Sequence, residues 1–359
     1  MVNYDFLSVY FYSVPNLRFL KFNQNYETLQ LKNTLKIKSG KDQKQVEVEN
    51  GIYNIYGTGG IIGYTNTFLY DKESVGIGRK GTIDKPVYFD QPFWTVDTLF
   101  YSEIYEGFIP KYIFYLFQTI NWKKYNTSTG VPSLTSSSIE NIEKSFPCYD
   151  EQLKVANFLT MIDMRIETQI KIIDSYFSLS KAISNTLIGQ SKGNTRLREC
   201  LNCYSSNTME SVIKQEDLGD YPVYGANGII KKINNYEIEY PSIAIVKDGS
   251  GVGKMFKLSG KYSILSTLNY LTSKPGYDID YIYYALKQKS LKKYVVGSGI
   301  PHIYFKDYEQ EKIYIPQNEL QQQNITSVLQ SIDEEIGNEI KQLKNYELLK
   351  KYLLKNMFV

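Results

Sequence analysis

DEQLKVANFLTMIDMRIETQIKIIDSYFSLSKAISNTL, residues Asp150 to Leu187, carries apolar side chains at Ile162, Ile166, Ile170, Ile173, Tyr176, Leu179, Ile183 and Leu187. The steps between them are 4, 4, 3, 3, 3, 4 and 4. Their mean is close to the period of about 3.6 residues of an α-helix, so the spacing predicts one long helix with a single apolar stripe. An offset of 170 residues gives Ile332, Ile336, Ile340, Leu343, Tyr346, Leu349, Leu353 and Met357, and all eight positions recur in step. At about 1.5 Å per residue each helix spans roughly 55 Å. Matching stripes predict that the two helices pair antiparallel as a coiled-coil core, with a globular body before each of them.

The bodies repeat as well. Ile55-Tyr56-Gly57-Thr58-Gly59-Gly60-Ile61-Ile62 returns as Val223-Tyr224-Gly225-Ala226-Asn227-Gly228-Ile229-Ile230, and Ser74-Val75-Gly76-Ile77-Gly78-Arg79-Lys80-Gly81 as Ser242-Ile243-Ala244-Ile245-Val246-Lys247-Asp248-Gly249, both at an offset of 168. Thr98-Leu99, Lys123-Lys124-Tyr125 and Gly130-Val131-Pro132 return 169 residues later as Thr267-Leu268, Lys292-Lys293-Tyr294 and Gly299-Ile300-Pro301. One unit of about 170 residues is used twice, a period far beyond the roughly 20–50 residues of solenoids. The first body, rich in Tyr, Phe, Ile and Gly with frequent turn residues, predicts short strands joined by tight turns. A helix is expected over Pro110 to Trp122, with Pro at its start. Gly189-Gln190-Ser191-Lys192-Gly193-Asn194 has linker composition. The expected fold is α+β and pseudo-two-fold: body 1–148, helix 149–190, body 191–316, helix 317–359.

The net charge of +3 is unevenly spread. Residues 150–188 hold 4 basic and 5 acidic side chains and residues 318–359 hold 5 and 6, leaving the bodies mildly basic with 32 against 27. That permits a polyanionic partner without requiring one. No apolar run approaches the roughly 18 residues of a membrane span, and the apolar patch Phe6–Val14 follows Asp5 rather than a basic segment. With only three cysteines, a cytoplasmic, reduced chain without membrane contact is expected.

Tyr56-Gly57-Thr58-Gly59-Gly60-Ile61-Ile62-Gly63, Ile77-Gly78-Arg79-Lys80-Gly81-Thr82, Phe93-Trp94-Thr95-Val96-Asp97-Thr98 and the opening Pro15-Asn16-Leu17-Arg18-Phe19, in a body-helix-body-helix layout, resemble the specificity (S) subunit of type I restriction-modification systems. The resemblance covers nearly the whole chain, though the second body matches less closely: Lys247-Asp248-Gly249-Ser250 stands where the first has Arg79-Lys80-Gly81-Thr82. It implies two target recognition domains, each reading one half of a split site in double-stranded DNA, with the helices as spacer. It also implies that the helices dock two modification subunits, which methylate adenine with S-adenosylmethionine, and that restriction subunits join with ATP and Mg. The chain itself would hold no catalytic centre and no cofactor. Half-sites about one duplex turn apart, roughly 34 Å, are compatible with such a rod.

The residues give no sign of enzyme chemistry of their own. Gly57-Thr58-Gly59-Gly60 is followed by more strand-like sequence rather than a helix, so a tight turn is expected and not a phosphate cradle. Gly249-Ser250-Gly251-Val252-Gly253-Lys254 lacks the Walker spacing and has Met255 in place of Ser or Thr. Cys200-Leu201-Asn202-Cys203 has metal-ligand spacing, but only Cys148 and the single histidine, His302, could complete four ligands, so two semi-buried thiols and no metal are expected. Two other readings stay open on sequence: a DNA-modifying enzyme with an unrecognised motif, which would methylate or cut DNA alone, and a structural adaptor, which would select no DNA sequence.

For DNA contact the candidates are cations in Gly-rich turns: Arg79, Lys80 and Lys85 in the first body, Lys231, Lys232, Lys247 and Lys254 in the second. Phosphate contacts fix register and a few side chains read base edges. Where both bodies share a residue it serves architecture; where they differ it can carry readout. The differing loop positions are Thr58 against Ala226, Gly59 against Asn227, Lys80 against Asp248 and Ser133 against His302, with Asn227 and His302 the preferred base readers. Arg165, Glu167, Lys171, Glu335, Glu339 and Lys341 are expected on the faces that dock partner subunits.

Overall fold

The computed structural model describes residues 14–213 and 219–359, so the Phe6–Val14 patch lies outside it but for its last residue. The chain divides into two units, residues 1–170 with 341–359 and residues 171–340. The central helix, Tyr149–Ser184, and the distal helix, Glu319–Met357, therefore contribute part of their length to each unit instead of standing apart as segments of their own.

In the first unit a four-stranded antiparallel sheet runs in the order Leu35–Ser39, Leu99–Ile104, Ser74–Gly78, Val87–Phe89. A second sheet orders Glu47–Val48, Gly60–Thr65, Tyr53–Gly57 and Phe93–Thr95, the last pair parallel. Strand 74–78 is buried along its whole length, and its Gly76 is required by packing: a Cβ there would stand 2.7 Å from the Phe89 ring. The helix predicted from Pro110 ends at Thr119, because Ile120 turns extended, and the Phe117 carbonyl of its last turn accepts from Ile120 N–H (3.4 Å) and from Trp122 Nε1 (2.9 Å). Its buried face of Tyr112, Ile113, Leu116 and Phe117 joins Val155, Ala156 and Leu159 of the central helix and Leu353, Met357 and Phe358 of the distal one in one core. At roughly 1.5–3 kcal/mol for each large apolar side chain, this core is what fixes the helix ends to the sheet. Within this unit the helices are antiparallel, since Lys350 pairs with Asp163 (2.7 Å) while Val359 meets Lys144, just before the central helix begins.

The second unit repeats the plan. Its four-stranded antiparallel sheet orders Leu201–Ser205, Leu268–Ser273, Ser242–Val246 and Met255–Leu258. A three-stranded sheet orders Gly228–Ile233, Tyr221–Gly225 and Ser263–Ile264, the last pair again parallel. The hairpin register slips between Val223 and Tyr224, the positions equivalent to Ile55 and Tyr56, where the first unit slips too. Helix Ile279–Lys287 stands where Pro110–Thr119 does, and its Tyr281, Ile282 and Leu286 share a core with Ile188 near the end of the long helical run and with Ile325 and Leu329 near the start of the distal helix. Tyr115 donates to Asp163 (2.7 Å) in one unit and Tyr284 to Asp333 (3.0 Å) in the other, one tie used twice.

The helix stripe needs correction at four of its sixteen positions. Ile162, Ile166, Ile173, Tyr176, Ile183 and Leu187 are buried or half-buried, as are Ile332, Ile336, Leu343, Tyr346, Leu353 and Met357, but Ile170 (42% exposed), Leu179, Ile340 and Leu349 face outward. Two steps of four carry Ile170 past the seam, whereas Gln169, seven residues after Ile162, stays on it and is only 3% exposed. Ser180, Glu339 and Lys350 take the corresponding places and are half-buried. Of the proposed docking charges, Arg165, Glu167, Lys171 and Lys341 are exposed, while Glu335 and Glu339 are half-buried. Among the described residues no helix is long and apolar enough to cross a membrane.

Candidate nucleic-acid interface

In the first unit four loops are laced together by their backbones. Val96 N–H donates to Tyr56 O (3.0 Å) beside the Gly57–Gly60 turn, and Leu99 N–H closes on Val96 O (3.0 Å). The Thr98 carbonyl receives Arg79 N–H (2.7 Å) and Lys80 N–H (3.3 Å). Gly81 N–H donates to Pro132 O and Leu134 N–H to Arg79 O, both 2.9 Å. Six hydrogen bonds of the second unit repeat these at the equivalent positions: Leu265 to Tyr224, Leu268 to Leu265, Lys247 and Asp248 to Thr267, Gly249 to Pro301 and Ile303 to Lys247. The repeated Thr-Leu and Gly-hydrophobic-Pro pieces of the sequence are thus the parts that build one loop edge in each unit. Gly60 (φ +119°) and Gly228 (φ +106°) close the hairpin turns in a conformation that disfavours any side chain.

On this common edge the differing residues meet in pairs. Lys80 lies opposite Ser133 in an isolated antiparallel bridge, and Asp248 lies opposite His302 in the same way. The loop behind Ser133 is held by Asn126, whose Oδ1 accepts from Ser133 N–H (2.8 Å) and Ser128 N–H (3.1 Å). His302 exchanges backbone bonds with Val296, its Nδ1 is 3.3 Å from Ile300 O, and its ring lies 5.1 Å from the ring of exposed Tyr304. Arg79 is half-buried, with Nη1 reaching Asp97 O (3.4 Å) and its guanidinium carbon 5.8 Å from the centre of the Phe100 ring. Thr58 and Ala226 are half-buried in their turns, while Asn227 projects into solvent and accepts a hydrogen bond from Lys254 Nζ (3.0 Å). Lys247 is part of the laced edge, whereas Lys231 and Lys232 lie on the hairpin arm, paired with Val223 and Pro222. None of these contacts reaches Lys85, which is exposed on the segment leading to strand 87–89.

Two residues beside each turn belong to the sequence repeat but not to the contact candidates drawn from it. Ile61 and Ile62 in one unit, and Ile229 and Ile230 in the other, are exposed at the first positions of the strand leaving the turn. An Ile-Ile pair recurring in step after a Gly-rich turn was the available signal.

The Cys-Leu-Asn-Cys spacing has a plain structural use. Cys200 is buried and donates weakly to Leu197 O (3.5 Å); burial pushes its thiol up to about 12, and that of half-buried Cys203 up to about 11. Among the described residues no group of three or more His, Cys, Asp or Glu side chains is placed to hold a metal ion. Because the thiolate is the reactive form, both thiols should resist iodoacetamide near pH 8 in the folded chain, at least about tenfold compared with the chain in urea. Peptide mass spectrometry after brief alkylation checks this, and equal labelling of Cys200 in both conditions contradicts it.

Comparison with known proteins matches the type I restriction modification DNA specificity domain twice, at residues 23–174 and 195–345. The specificity subunit of the type I restriction enzyme MjaVIII from Methanocaldococcus jannaschii is 34% identical over 169 residues, 43% of this chain and 39% of that protein. The match thus spans about two fifths of the length of this curated relative. The crystal structure of a type I restriction-modification S subunit from M. genitalium superposes with a TM-score of 0.71 at 19% identity, over 97% of this chain and 99% of the other. A structure described for complex assembly and conformational transition of the type I system gives 0.50 at 11% identity, over 92% and 97%. At such identities the structural likeness speaks for the fold.

Proposed function

The chain belongs to the type I restriction modification DNA specificity family, its domain model matching two segments that make up most of the length, and from that premise we propose that it is a non-catalytic subunit that reads a bipartite target in double-stranded DNA. Each unit reads one half-site with its laced loop edge. The observation that carries this reading is the contrast along that edge: six backbone bonds recur, while the side chains they present change from Lys80 and Ser133 to Asp248 and His302. A shared frame with exchanged tips is what two readers of different sequences need, since the backbone fixes register and the base edges are told apart by a few donors and acceptors. Arg79, Lys247, Lys231 and Lys232 supply cations beside the tips for phosphate contact, and Thr58 and Lys85 remain candidates in the first unit.

The partners follow as part of the proposal. Two modification subunits, carrying S-adenosylmethionine, dock on the exposed charges of the helices, Arg165, Glu167, Lys171 and Lys341 among them, and restriction subunits supplied with ATP and Mg complete the complex. Such a complex works in the cytoplasm, where the DNA is. Mapping methylated adenines across the genome with and without this gene tests the whole reading, since loss of a split motif is expected. Asn227→Ala and His302→Ala should each impair the second half of that motif alone, by roughly the 1–3 kcal/mol of one base contact. An unchanged motif and methylation rate in both variants contradicts the assignment of these two readers.

A further inference from the structure

Asn227 and Lys254 come from different turns that the backbone brings together. Asn227 precedes Gly228, whose positive φ closes the hairpin, and a Cβ on Gly251 would stand only 3.4 Å from the Cβ of Ala226. Lys254 is rooted by its own turn: Val246 N–H donates to Lys254 O (2.9 Å), Gly253 N–H to Val246 O (2.8 Å), and Lys254 N–H to Gly251 O (3.0 Å). Both side chains are exposed, and the 3.0 Å bond between them runs from Nζ to the amide oxygen. An ammonium only donates, so the oxygen of Asn227 must face it and the amide nitrogen must face away. What the pair offers outward is a set of donors with a positive charge.

Each base pair shows a different pattern in the major groove. Guanine presents two adjacent acceptors, N7 and O6, whereas adenine sets the N6 amino donor beside N7, and the usual two-bond reading of adenine by asparagine needs a free amide oxygen for that donor. Here the oxygen is engaged, and an adenine amino group would approach the ammonium. We infer that Asn227 and Lys254 act as one unit that selects guanine in the second half-site through its N7 and O6. The first unit has no such fork: the pairings Ser74–Phe89 and Ser242–Leu258 put Lys85 in the place of Lys254, but Gly59 stands in the place of Asn227 and has no side chain to engage it. This inference rests on the DNA-reading role proposed above and narrows it to one base.

The test uses the full chain assembled with its modification subunits and duplexes carrying the mapped target. Replacing each guanine of the second half-site in turn by 7-deazaguanine, which lacks the N7 acceptor, should weaken binding roughly tenfold at one of them. Lys254→Met and Asn227→Ala should remove that penalty, and Lys254→Arg, which keeps donors, should restore it. Penalties from 7-deazapurines in the first half-site should be equal in wild type and variants, which separates a local effect from loss of fold. A second half-site without guanine, or a variant-dependent penalty that falls on 7-deazaadenine instead, overturns the guanine assignment while leaving the turn as a DNA reader. Variants that bind every duplex as the wild type does overturn both.

Discussion

Exchanging Arg18 for methionine should destabilise the first unit by roughly 3–5 kcal/mol, the cost of breaking a buried ion pair from one side. Glu151 lies in the first turn of the central helix with its side chain only 1% exposed. Arg18 grips it with two bonds, Nε to Oε1 (2.8 Å) and Nη2 to Oε2 (2.7 Å), and Tyr26 donates a third (3.1 Å). Nη2 also reaches Gln24 O (2.6 Å), so one guanidinium ties the lead-in chain to the helix start. Methionine keeps much of the volume and leaves a carboxylate in the core with one neutral donor, which the positive end of the helix dipole only partly offsets. The hydrogen bonds that Arg18 donates to the Glu151 carboxylate raise the guanidinium above its ordinary value. A raised cation stabilises fully at pH below its ordinary value and loses that contribution only as pH rises through the raised one, far above neutrality, so mutation and not titration is the probe. Both tryptophans, Trp94 and Trp122, lie in this unit, so their fluorescence in a urea titration reports its unfolding. The double variant Arg18→Met with Glu151→Leu should recover most of the loss, and a single variant within about 1 kcal/mol of wild type defeats the argument.

Seven residues inserted into each long helix, after Ile170 and after Ile340 where the units meet along the chain, should change the target rather than the fold. A heptad advances an α-helix by about 10.5 Å and leaves its faces within roughly 20° of their former direction, so the stripe continues in phase. If the helices set the distance between half-sites, the gap in the methylated motif should grow by about three base pairs of roughly 3.4 Å each, or the complex should cease to methylate because the modification subunits no longer seat on both. Insertion into one helix only breaks the pairing and should abolish methylation outright. Methylation mapping reads every outcome, and an unchanged gap at full rate removes the spacer role from these helices.

The repeat was legible in the chain because it is a property of order and spacing. The 170-residue offset carried by Ile162 and Ile332, the hairpin turn shared by Gly57 and Gly225, and the Gly-hydrophobic-Pro loop ending in Pro132 and Pro301 were all visible without coordinates. The stripe was less so. Counting apolar letters placed Ile170 and Leu179 on the seam, whereas the helix turns Gln169 and Ser180 there, since position on a helix follows angle and not hydrophobicity. Comparing the two halves singled out Lys80 with Asp248 and Ser133 with His302, and these proved to be bridge partners across one edge.

By itself, then, the sequence determined that one plan of body and helix is used twice and which loop positions differ between the copies, because duplication leaves register in the chain wherever packing demands the same residue. Only the tertiary structure decided which of those positions meet. Lys254 and Asn227 are 27 residues apart and belong to unlike turns, and Arg18 and Glu151 are separated by 133. Such pairs are made by turns that close through positive φ at Gly228 and Gly253, by the packing of Gly251 against Ala226, and by burial of a charge that must find its counter-ion, and none of these leaves a period or a motif to read.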